Sequence, residues 1–131
     1  MIHLYELFHA MMKPKNNMNN TETITSWILA CKVEDIPDNG GACVLLDGEQ
    51  IAIYNFKKRG EWYATQNLCP HKQQMALSRG MIGSKGEEPK VACPFHKKTF
   101  SLKSGACLSD DDYEIKTYDV KVEDDMVFVA L

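Results

Sequence analysis

The feature that most restricts the fold is a pair of short boxes, Cys69-Pro70-His71 and Cys93-Pro94-Phe95-His96, separated by 21 residues. The other histidines are His3 and His9, near the N-terminus, so every histidine from residue 21 onward belongs to this arrangement. Core packing does not account for such a concentration. A fold that uses both boxes must hold two loops side by side, each presenting one thiol and one imidazole. Proline directly after each cysteine fixes φ and removes a backbone donor, so fewer loop conformers are lost when the ligands are aimed inward.

The remainder reads as a scaffold for those loops. Residues 27–31 form a short apolar strand candidate, and 33–38, with Pro37, form a turn. Segments 42–46 and 50–56 flank Asp47-Gly48, a strong hairpin signal because both central residues tolerate positive φ. A turn at 57–60 leads into a strand over 61–66. Residues 116–122 alternate, with Tyr118, Val120 and Val122 on one face, and a turn at 123–125 precedes a strand over 126–130. No window sustains a helical period, so the expected class is all-β, a small antiparallel sandwich or barrel. Residues 68–105, rich in Pro, Gly, Lys and Ser, read as paired loops on that scaffold. Residues 1–20 have the composition of a disordered, non-domain tail, leaving 21–131 as the domain.

A chain of 131 residues has room for one domain. Its net charge of −3 argues against holding nucleic acid by phosphate neutralisation, and no apolar run approaches the ~20 residues of a bilayer span. Five cysteines, an odd number, point to reduced thiols or ligands in a cytoplasmic setting rather than a closed disulfide framework. The small total conceals a division. Between residues 71 and 103 seven bases face two acids, a net +5; between 109 and 125 eight acids face two bases, a net −6. The basic segment is the one that carries the boxes.

Two thiolates and two imidazoles from two loops suit three kinds of chemistry. In a [2Fe–2S] centre of mixed ligation the thiolates hold one iron and the imidazoles the other, so each loop bridges both irons. A tetrahedral zinc site uses the same donors, although zinc motifs more often pair Cys with Cys in one knuckle. A Cys–His nucleophilic pair leaves the duplication unexplained. The pattern favours the iron–sulfur reading.

Asn67-Leu68-Cys69-Pro70-His71-Lys72 and Cys93-Pro94-Phe95-His96 resemble the two cluster-binding boxes of Rieske proteins. The resemblance implies Cys69 and Cys93 on one iron and His71 and His96 on the other. Where respiratory members carry an additional cysteine in each box, Gln74 and Phe95 stand here, and Lys98 and Phe100 replace hydroxyl donors to the cluster sulfurs. Fewer donors destabilise the reduced form, which implies a potential toward the bottom of the Rieske range.

The 78–83 and 97–108 segments are similar to those of the small subunit of assimilatory NAD(P)H-dependent nitrite reductase. That family implies an electron-transfer subunit paired with a large catalytic subunit carrying FAD, a [4Fe–4S] cluster and sirohaem, reducing nitrite to ammonium. A stand-alone ferredoxin serving an oxygenase and a non-enzymatic redox sensor are the alternatives. Around the boxes, Lys72, Lys97 and Lys98 are candidates for partner docking or charge compensation. Cys31, Cys43 and Cys107 are expected to pack as small apolar side chains and Trp27 and Trp62 to belong to the core. Gly80 and Gly105 are expected where a Cβ would clash.

Overall fold

The computed structural model describes residues 26–71, 73–95, 98–109 and 112–131; the tail expected over 1–20 lies outside them. The described chain is all-β, with antiparallel pairing throughout and only single 3₁₀ turns between strands. Strands β1 (Trp27–Lys32), β11 (Val120–Glu123) and β12 (Met126–Ala130) form one sheet in the order β1-β12-β11. Strands β2 (Gly40–Leu46), β3 (Glu49–Phe56), β4 (Glu61–Gln66) and β10 (Thr117–Tyr118) form a second in the order β10-β4-β3-β2.

Local chemistry explains the turns. Asp47 and Gly48 adopt φ of 53° and 80°, and Asp124 and Asp125 adopt 52° and 63°. Both pairs have the positive-φ geometry that matches the twist of tight hairpins. Gly60, at φ 67°, ends the 3₁₀ turn before β4.

Strand β3 is buried on both faces, which is why Ile51 to Phe56 is nearly unbroken in apolar character. Ile51 and Ile53 enter a core with Ala30, Val44, Val127 and Val129, between the two sheets. Ala52, Tyr54 and Phe56 point the other way, into a second core with Leu77, Val91, Phe100, Cys69 and Cys93. One strand therefore joins the scaffold to the part of the molecule that bears both boxes.

That part is more regular than a pair of loops. Residues 68–105 contain five short strands. These are the hairpin of β5 (Leu68–Cys69) with β6 (Gln74–Met75), and the sheet β7-β8-β9 of Met81–Lys85, Glu88–Ala92 and Thr99–Ser101. The alternation over 116–122 also divides. Tyr118 pairs with Ala64 on β4, whereas Val120 pairs with Val129 on β12, and the Asp119 carbonyl between them accepts a hydrogen bond from Ala130 N. The expected single strand is two, in different sheets. Among the described residues no helix is long and apolar enough to cross a membrane.

Candidate metal centre

Both boxes are hairpin ends built to one plan. Cys69 is the last paired residue of β5, opposite Gln74, and His71 lies in the turn between them. Cys93 follows β8, its N–H donates to the Lys98 carbonyl at 2.8 Å, and Pro94 and Phe95 lie in the turn that follows it. The two cysteines therefore stand on the scaffold, and His71 lies in the turn that follows the first of them. Cys69 and Cys93 are 0% and 1% exposed and share the core of Tyr54, Val91 and Phe100. Nδ1 of His71 is also buried. His96, Lys72 and Lys97 lie outside the described residues.

A set of second contacts fixes the first box. Asn67, 3% exposed, accepts from the N–H groups of both Ala76 and Leu77 at 3.0 Å through its backbone carbonyl. Its side-chain oxygen accepts from Ser78 N at 2.7 Å, and its amide donates to Gln50 Oε1 at 2.9 Å. The turn that leads away from the box is thus tied to the strand that enters it. Beneath, the Tyr54 hydroxyl donates to the Leu77 carbonyl at 3.0 Å; burial pushes its pKa up, keeping it a donor. Neither role has a local sequence signature, because each joins residues that meet only after folding.

A third contact was equally invisible. Tyr113 stands edge-on to His71, with ring centroids 5.5 Å apart and an interplanar angle of 84°. It belongs to the acidic segment, between exposed Asp112 and Glu114. The −6 stretch thus returns to the first box, and the surround of the centre is mixed in charge rather than uniformly basic.

Other expectations divide. Cys31 is buried as expected, and burial, then Asp35, pushes its thiol pKa up to about 12. Cys43 is not packed inside: its position on β2 faces outward, and Sγ lies 3.6 Å from Gln50 Oε1. Cys107 is half-buried. Trp62 packs partly buried against the first core, while half-buried Trp27 carries the Lys121 ammonium 4.8 Å above its ring. A Cβ on Gly80 or Gly105 would overlap the carbonyl oxygen of Ala92 or Ile115, as expected.

Among the described residues no three Cys, His, Asp or Glu side chains form a group able to hold a metal ion. Three of the four proposed donors are described, and their chemistry fits an iron–sulfur group: two buried sulfurs from separate hairpins and a buried imidazole nitrogen beside one of them.

Comparison with known proteins places this geometry. A family model described as a Rieske-like [2Fe–2S] domain matches residues 26–130. The chain is 36% identical over 104 residues to the nitrite reductase (NADH) small subunit of Salmonella typhimurium, covering 79% of this chain and 96% of that protein. It is 35% identical over 107 residues to the ferredoxin component of the naphthalene 1,2-dioxygenase/salicylate 5-hydroxylase systems of a Ralstonia species, covering 81% and 96%. The solved structure of the E. coli protein NirD superposes with a TM-score of 0.74 at 33% identity, covering 82% of this chain and 98% of that one. By its matched length, its two cysteine-anchored turns and its all-β scaffold, this chain belongs to the Rieske-like [2Fe–2S] family.

Proposed function

We propose that this chain is the electron-transfer small subunit of an NAD(P)H-dependent nitrite reductase. In this reading Cys69 and Cys93 hold one iron of the cluster and His71 and His96 hold the other. The observation that carries it is the relation to the Salmonella small subunit over nearly the whole of that protein. When bound, a [2Fe–2S] group supplies one-electron chemistry.

The chain's own residues supply the rest. Cys69 and Cys93 present their sulfurs from one buried apolar core. The β5–β6 hairpin, closed at its base by Asn67, carries His71. The partner is a large catalytic subunit bearing FAD, [4Fe–4S] and sirohaem, working in the cytoplasm. The Ralstonia relative supports a second reading, a ferredoxin that donates to an oxygenase.

The test is purification of the native complex, with iron and sulfide analysis and an NAD(P)H–nitrite assay with and without this subunit. About two irons and two sulfides per chain are expected. Nitrite turnover that depends on the subunit and falls in His71→Ala supports the proposal. A colourless zinc protein, or turnover indifferent to the subunit, overturns it.

A further inference from the structure

Six large apolar side chains are strongly exposed among the described residues: Leu45, Met75, Met81, Phe95, Tyr113 and Val122. Four of them are tied to the candidate centre. Met75 pairs with Leu68, the residue before Cys69, and Met81 pairs with Ala92, the residue before Cys93. Phe95 lies within the second turn, and Tyr113 touches His71. Met81 is 78% exposed, and Met75 and Phe95 are each 48% exposed. A concentration of this kind marks an interaction surface, and methionine is suited to it because its flexible, polarisable side chain adapts to a facing surface.

Charge says what faces it. The Arg79 guanidinium lies 5.9 Å over the Phe95 ring. No acidic residue occurs in 67–86 or in 89–109. The intervening Glu87 and Glu88 lie at the other end of the β7–β8 hairpin, where Lys85 pairs with Glu88 and Glu88 accepts from the Ser101 hydroxyl. Arg79 thus sets a cation beside Phe95, and the sequence flanking both boxes carries no acid. Asp112 and Glu114, beside Tyr113, mark a different edge, which an acidic surface would avoid.

We infer that Met75, Met81 and Phe95, with Arg79, form the surface through which this chain docks on its large subunit, and that the facing surface is apolar with an acidic rim. The inference rests on the small-subunit reading above and adds to it the place and chemistry of the contact.

The experiment measures binding of the cluster-loaded chain to its large subunit, with the visible spectrum recorded for each variant. Met81→Glu and Met75→Glu should each raise Kd about 10- to 100-fold, the effect of losing one well-buried methionine at an interface. Met81→Lys should weaken binding less than Met81→Glu, and Arg79→Glu should weaken it most at low salt. Leu45→Glu, at a 59% exposed position on β2, should bind as the wild type does. Wild-type binding with both methionine variants unaffected overturns the docking surface alone. Equal weakening by Lys and Glu at position 81 overturns the acidic rim. A wild-type chain that does not bind the large subunit overturns the small-subunit reading and the docking surface with it.

Discussion

Replacing Asn67 by alanine should loosen the first box without removing a ligand. The side chain makes two hydrogen bonds, accepting from buried Ser78 N at 2.7 Å and donating to Gln50 Oε1 at 2.9 Å. Gln50 is exposed and regains water when its partner goes, so that bond is worth about 0.5 kcal/mol. Ser78 is only 8% exposed, and its orphaned N–H costs about 1–3 kcal/mol. The sum is about 1.5–3.5 kcal/mol, or a fall in melting temperature of about 6–14 °C for a domain of this size. Asn67→Asp keeps the acceptor for Ser78 and loses only the donor, so it should lose about 0.5 kcal/mol, or about 2 °C. The assay is thermal unfolding of the cluster-free protein, followed by the rate at which the loaded protein loses its visible absorbance to a chelator. Asn67→Ala melting within about 2 °C of wild type, or Asn67→Asp melting as low as alanine, refutes this account of the clamp.

Tyr113→Ala should release iron from the loaded protein about 2- to 10-fold faster to a chelator, the range given by an edge-to-face aromatic pair, and Tyr113→Phe should restore the wild-type rate. Gly105 has φ of +82° with the Ile115 carbonyl against it, so Gly105→Ala should cost about 3 kcal/mol or more, read by chemical denaturation. The Cys31 thiol is lifted from 9.0 to about 12 by burial, so the folded state keeps a proton that the unfolded state releases above about pH 9. Stability of the cluster-free protein should therefore fall as pH rises from about 9 toward 12, and Cys31→Ala should flatten the first part of that fall in melts between pH 8 and 10. With Lys98 and Phe100 in place of hydroxyl donors, a redox titration should give a midpoint below about +150 mV.

Much of the scaffold was legible in the sequence because its strands announce themselves locally. The 61–66 and 126–130 strands appear as expected, and Asp47-Gly48 makes the turn its residue types favour. Other elements had no local sign. Residues 116–122 alternate without a break, but side-chain alternation does not encode which sheet a residue joins, and the change of partner falls at Asp119. Strands of two to five residues within 68–105 contain Gly, Pro and Lys, and arise from pairing rather than from propensity. At the candidate centre the four proposed donors stood out, since Cys and His in duplicate boxes are chemically distinctive. The Asn67 clamp and the Tyr113 contact were hidden because they depend on where distant segments meet. Cys43 was misjudged for a related reason: its face of β2 is set by the register with β3.

The placing of Cys69 and Cys93 at the ends of paired strands, with His71 on a turn, bears on how such a domain can evolve. Each hairpin end is closed beside its cysteine by contacts of its own strands. The core around Tyr54, Val91 and Phe100 is filled by apolar side chains, among which a cysteine occupies little more space than an alanine. Substitution in the turns therefore leaves the architecture standing, and a lineage can surrender its metal while conserving its shape. The reverse path is also short: a descendant that keeps the scaffold keeps the hairpin ends on which the proposed donors stand.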